Sequence, residues 1–281
     1  MENRHTTQIP LKILQEIEDC NRSIKQNPKD AQAYCDRGTI YHVLGDDNQA
    51  IKDYDRAVEL NPRLLDAYNN RGNTYFKLGK ISEAMKDYDK VIELNQKYDG
   101  GYFNRGIAYG ILGHYKQAIA DYDEAIELNP RHIDAYCNRG IAYGRLGNFN
   151  LSIQNYDKAI ELNPRLAKAY KYRGAAYSLL GDYEQAIKEL EKAIEIEPED
   201  AETYSNRGIA YIKLGKFNNA IEDYNKAILL NPKLAQAYFN RAIAYGKRGN
   251  DRQMIVDAKT AASLGLKGAQ NYLISKGISW Q

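Results

Sequence analysis

Cysteine, methionine and tryptophan are scarce in this 281-residue chain, which has 3 Cys, 3 Met and 1 Trp. Three cysteines (Cys20, Cys35, Cys137), none in a C-x-x-C pair, cannot build a disulfide framework, so a reducing, cytoplasmic setting is expected. Charge of one sign is missing as well. The 39 basic and 37 acidic residues leave a net charge of +2, which is no strong footprint for nucleic acid or anionic lipid. No apolar run reaches the ~18 residues that a membrane span requires. The opening MENRHTTQIPLKIL lacks the apolar stretch of a signal peptide. Phenylalanine (5) and proline (7) are few.

Tyrosine and glycine, by contrast, are plentiful: 24 and 21. Their placement is periodic. The string R-G-x-x-Y recurs at Arg37, Arg71, Arg105, Arg139, Arg173 and Arg207, each 34 residues after the last, and Arg241 continues it with Ala242 in place of Gly. Counting from Ala31, seven repeats are read as 31–64, 65–98, 99–132, 133–166, 167–200, 201–234 and 235–266. Repeat positions 4 and 11 are always Tyr, and position 24 is Tyr in five repeats. Position 15 is always Gly and position 8 is Gly in six. These positions hold 19 of the 24 tyrosines and 13 of the 21 glycines.

Each repeat reads as two helices. Tyr34, Gly38, Tyr41 and Leu44 share a helical face, and so do Ala50, Ile51, Tyr54, Ala57 and Val58. Gly45 ends the first helix, Asp46 caps the second (as Asp182 does in its own repeat), and Asn61-Pro62 closes the second. One helix pair cannot bury its apolar face alone, so neighbours must stack. Leu11–Gln26 reads as a second helix without its first, with Cys20 buried at the tyrosine position, and Lys267–Lys276 as a closing helix. Residues 1–30 and 267–281 thus form the end segments.

This pattern of aromatic, Arg-Gly, Tyr, Gly, Ala, aromatic, Ala and Pro resembles the tetratricopeptide repeat family over roughly residues 31–266, in the R-G-x-x-Y form of prokaryotic versions. Local departures are Gln96 for the turn proline, Ser152 for a small alanine, Leu190 for a position-24 tyrosine, and Met254 and Ala258 in repeat seven. The resemblance implies an all-α, right-handed superhelical solenoid of antiparallel helix pairs. It also implies a non-enzymatic scaffold that holds a peptide or partner helix in a concave groove lined by first helices. Self-association through the convex face or the ends is the alternative, and nucleic-acid binding ranks below both.

Catalytic signals are absent. The histidines (His5, His42, His114, His132) fall at unrelated repeat positions, and no metal-ligand spacing, phosphate loop or nucleophile motif occurs. No catalytic residue, metal or cofactor is expected. Arg at position 7 faces an acid at position 23 (Asp53, Asp87, Asp121, Asn155, Glu189, Asp223, Asp257), which suggests a ladder of exposed ion pairs worth about 0–1 kcal/mol each.

The resemblance places positions 2, 5, 6, 9, 12 and 13 in the groove. Position 6 carries Asn70, Asn104, Asn138, Asn206 and Asn240, interrupted by Tyr172. Carboxamides both donate and accept, so this ladder suits either a bound peptide backbone or bonds between neighbouring helices. Position 9 adds an apolar stripe of Ile107, Ile141, Ile209 and Ile243, and Lys77, Arg145, Lys213 and Lys247 add charge. Lys171 and Asn206 match part of the carboxylate clamp that grips chaperone tails, but Ala175, Gln236 and Asn240 do not.

Overall fold

The computed structural model describes residues 11–280, which are helical throughout apart from short turns, with no strand among the described residues. The chain divides into two compact units, Met1–Ala135 and Tyr136–Gln281. The N-terminal unit runs α1 (Leu11–Gln26), α2 (Ala31–Val43), α3 (Asp47–Leu60), α4 (Leu65–Lys77), α5 (Ile81–Leu94), α6 (Asp99–Ile111) and α7 (Tyr115–Leu128). The division falls within α8 (Ile133–Arg145). The C-terminal unit continues with α9 (Phe149–Leu162), α10 (Ala167–Leu180), α11 (Tyr183–Ile196), α12 (Ala201–Lys213), α13 (Phe217–Leu230), α14 (Ala235–Lys247), α15 (Asp251–Ser263) and α16 (Lys267–Ser275). Within each unit, consecutive helices pack in pairs and the pairs stack on their neighbours.

The turns follow from single residues. Glycine at position 15 has φ between 72° and 87° in all seven repeats, the left-handed conformation that ends a helix cheaply only for Gly. Asp46 and Asp182 accept hydrogen bonds from the backbone N–H of Gln49 and Gln185, as their N-cap positions require. At the return turn the asparagine does more than precede proline. Asn61, Asn95, Asn129, Asn163 and Asn231 each accept the backbone N–H two residues on, at 3.0–3.2 Å. Asn95 makes this bond although Gln96 follows it, so the repeat that lacks proline keeps its turn.

The core differs from a uniform set of three tyrosines per repeat. Only the position-24 rings (Tyr54, Tyr88, Tyr122, Tyr156, Tyr224) are fully buried, at 0–3% exposure. Each lies on the position-8 glycine of the partner helix, and Leu190 lies on Gly174 in the same way. Position 11 is half-buried throughout, and position 4 is half-buried except at Tyr136 and Tyr204. The position-4 ring carries the repeat's arginine, whose guanidinium carbon stands 5.3–5.8 Å from the ring centre in all seven repeats.

Those arginines are not exposed. Their side chains retain 14–22% exposure and the position-23 acids only 2–9%. Arg71 donates Nε and Nη2 to Asp87 at 2.9 and 2.6 Å, and Nη1 to Asp55 of the preceding repeat at 2.7 Å. Arg105 repeats this fork with Asp121 and Asp89, and Arg173 with Glu189 and Asp157. The expected surface ladder is therefore a set of partly buried pairs, and those of Arg71, Arg105 and Arg173 each tie two consecutive second helices together. Burial works against the charge on Asp87 and raises its carboxyl pKa, opposed by the hydrogen bonds from Arg71.

The end helices behave unequally. Trp280 and Ile278 pack with α16 against the buried Leu273 and Ala258. In α1 no residue is fully buried, and Cys20 is half-buried rather than buried, because no helix precedes α1 among the described residues.

Candidate protein-binding surface

In the N-terminal unit the amide ladder is occupied by the fold itself. Asn70 donates to Thr39 Oγ1 at 3.2 Å, and Asn104 donates to Asn69 and Asn73 at 3.1 and 3.2 Å. Each bond runs from one repeat to the one before it. In the C-terminal unit Asn240 is buried and accepts from Gln236 at 2.9 Å. Asn138 and Asn206 are half-buried and make no side-chain hydrogen bond among the described residues. The five asparagines thus divide: three are engaged by the fold and two keep their amides available.

The basic residues divide too. Lys77 is paired with Asp47 at 2.9 Å, and the same Asp47 lies 2.9 Å from His42 Nδ1, which in turn lies 3.1 Å from Thr74 Oγ1. Lys171 is 14% exposed and paired with Asp200 at 2.9 Å and Glu202 at 3.2 Å. Burial lowers the Lys171 pKa, but its carboxylate partners outweigh that and leave it raised. Arg145, Lys213 and Lys247 are exposed and form no ion pair among the described residues.

Position 13, which supplies these cations, also carries side chains missed in the sequence. Val43, Ile111 and Leu179 stand there with 72%, 61% and 66% exposure. Along the chain the position reads Val43, Lys77, Ile111, Arg145, Leu179, Lys213, Lys247. The signal was visible, since these residues share the register of the cations, but only their exposure distinguishes them from core. Nearby, Tyr172 is 37% exposed and stacks on Tyr156 with centroids 5.9 Å apart. A cavity of about 200 Å³ lies beside it, lined among others by Ile141, Arg145, Tyr172 and Leu179. Ile107 and Ile209 are half-buried on their own first helices.

The described residues hold no group of three or more His, Cys, Asp or Glu able to bind a metal, and no helix long and apolar enough to cross a membrane. Helix pairs that recur every 34 residues, closed by a left-handed glycine and an asparagine turn, define a helical-repeat protein. Tetratricopeptide repeat profiles match residues 65–98, 133–166 and 201–234, a TPR repeat profile matches 38–79, 109–147 and 176–215, and a further tetratricopeptide repeat profile matches 20–52 and 155–188. The chain belongs to the tetratricopeptide repeat family.

No curated protein matches the sequence. Among solved structures, the APC/C hetero-tetramer Cut9–Hcn1 is similar, with a TM-score of 0.70 and 20% identity over 94% of this chain and 52% of that one. This chain thus spans about half the length of that protein. A tetratricopeptide repeat protein from Parabacteroides merdae ATCC 43184 gives a TM-score of 0.69 and 23% identity, over 92% of this chain and 98% of that chain. YrrB, a TPR protein with an unusual peptide-binding site, gives 0.55 and 24%, over 66% of this chain and 95% of its own. At these identities the likeness is one of fold. The fold is that of a protein–protein interaction scaffold.

Proposed function

We propose that this chain is a non-enzymatic scaffold that binds an extended peptide or partner helix along its first-helix face. The observation that carries the reading is position 13. Three branched aliphatic side chains, 61–72% exposed, occupy one register of the repeat in alternation with basic residues. Scattered apolar residues on a surface need no explanation, but a set in one register beside unpaired cations suits a partner. In the C-terminal unit Asn138 and Asn206 offer amides to a peptide backbone, Tyr172, Ile141 and Ile209 offer apolar contact, and Arg145 and Lys213 offer charge. In the N-terminal unit Ile107 and Ile111 serve, whereas Asn70, Asn104 and Lys77 are engaged by neighbours.

A photo-crosslinking residue placed at Leu179, and in a second protein at the exposed Lys192 on α11, tests this in native lysate. A partner captured at position 179 and not at 192, and lost when charge is introduced elsewhere in the position-13 register by Val43→Glu with Ile111→Glu, supports the reading. Capture only at 192 would assign binding to the second-helix face and overturn it.

A further inference from the structure

Repeat seven breaks the glycine–ring pairing. Elsewhere a position-24 side chain lies on a position-8 glycine; here Ala258 and Ala242 occupy those positions and share one buried cluster. The consequence reaches one turn further. In repeat three the Tyr122 hydroxyl comes within 3.7 Å of where a Cβ on Gly110, at position 12, would stand. Ala258 sends no ring to that level in repeat seven. Met254 fills part of the space, with its Sδ 2.7 Å from the corresponding point on Gly246 and 3.4 Å from the Tyr272 hydroxyl. What is left is a cavity of about 420 Å³ between α14, α15 and α16. Phe239, Ala242, Ile243, Met254 and Tyr272 give it apolar and aromatic walls.

Two cations line the same cavity, Lys247 from α14 and Lys276 at the end of α16. Both are exposed and neither forms an ion pair among the described residues, unlike Lys77 and Lys171. Asp251 is the one acid in the lining. We propose that this socket takes a large apolar side chain of a partner peptide whose flanking residues are acidic. The apolar walls suit the anchor, and two lysines on separate helices suit carboxylates on either side of it. Unpaired Lys213 and Arg145 on earlier first helices favour a run of acidic side chains over a single terminal carboxylate. The inference rests on the first-helix face being the binding face, and it names the anchor site and the charge of the partner.

The test is fluorescence anisotropy on the full chain with three dye-labelled peptides: glutamates flanking a phenylalanine, the same with serine for phenylalanine, and the same with lysines for glutamates. The glutamate–phenylalanine peptide should bind, more weakly as salt rises. The other two should bind on the order of tenfold more weakly, and so should the first peptide to Lys247→Glu/Lys276→Glu. A second variant, Ala242→Gly/Met254→Ala/Ala258→Tyr, restores the packing of the other repeats and should keep its helical circular dichroism while losing the peptide. Failure of the first peptide to bind, equal binding of the serine peptide, or indifference to the lysine reversals would overturn the proposal. If Arg145→Glu/Leu179→Glu then weakened binding while the lysine reversals did not, the first-helix face would stand and the socket would fall. Sedimentation that shows a dimer dispersed by Lys247→Glu/Lys276→Glu would assign the socket to a second copy and overturn the peptide.

Discussion

The Tyr122 ring occupies the space into which a side chain on Gly106 would grow, with Cε1 2.7 Å from the would-be Cβ. Real Cβ atoms do not approach that closely, so helix α6 packs against α7 only because position 106 is bare. An alanine in mid-helix ordinarily gains about 0.5–1 kcal/mol over glycine through backbone entropy. Here the clash reverses the sign, and Gly106→Ala is expected to destabilise by about 1–3 kcal/mol. Tyr122→Ala alone should cost about 3–5 kcal/mol as a core truncation. The double variant recreates the Ala242/Ala258 pair of repeat seven and should be more stable than the two single effects sum to. Urea denaturation across the four proteins measures that coupling.

The arginine forks predict a second asymmetry. At position 23, Arg105→Ala strands the carboxylate of Asp121, whereas Arg139→Ala strands a neutral carboxamide, that of Asn155, which Arg139 bonds at 2.7 Å. Removing one member of a buried charge pair costs about 3–5 kcal/mol, chiefly because the survivor stays charged without a partner. Arg139→Ala should therefore destabilise less than Arg105→Ala. Equal losses in urea melts would show that the guanidinium acts by packing on Tyr102 and Tyr136 instead.

Lys171 and Asp200 give a pH signature. Burial raises the Asp200 carboxyl, but hydrogen bonds from Thr203 and Lys171 outweigh it and leave its pKa below the ordinary 3.8. A depressed carboxyl adds stability above 3.8 that is lost as pH falls through the lower, folded value. The lysine is raised above 10.5, so its share is present below that value and fades as pH rises past its folded pKa. Asp200→Asn keeps an oxygen for the helix cap and removes the charge. Its Tm deficit, equivalent to on the order of 1 kcal/mol for a partly exposed pair, should be constant near neutrality and shrink on acidification below about pH 4.

Cysteine reactivity should rank by burial. Cys35 is 2% exposed and burial pushes its thiol up to about 12, so little thiolate exists at pH 8. Cys137 is buried as well, whereas Cys20 is half-buried with a thiol raised by burial and by Asp36. Brief iodoacetamide treatment of the native protein should label Cys20 ahead of the other two, and all three in denaturant. Peptide mass mapping reads the order.

The repeat length, the helix pairs, the left-handed glycines and the caps at Asp46 and Asp182 were legible in the sequence because each is a local property of backbone and neighbouring residues. The expected groove positions came from the family resemblance rather than from the period. The fate of individual groups at those positions was not legible. Asn104 and Asn138 are identical in register, yet one bonds to Asn69 and Asn73 and the other has no side-chain hydrogen bond among the described residues. The bonds of Asn104 depend on what the preceding repeat presents to it within the same unit. Burial of the arginine forks escaped for the same reason, since the second acid comes from the repeat before.

Sequence alone thus determined the architecture of this protein, because a 34-residue period repeats the same local choices of turn, cap and ring seven times. Tertiary structure decided which groups remain free for a partner. Val43, Ile111 and Leu179 share their register with the cations, and only packing shows that they stand in solvent. Lys77 and Lys171 read as free cations, and only stacking brings Asp47 and Asp200 against them. Availability is set by contacts between repeats, and those contacts join residues about 30 positions apart, beyond the reach of any local pattern.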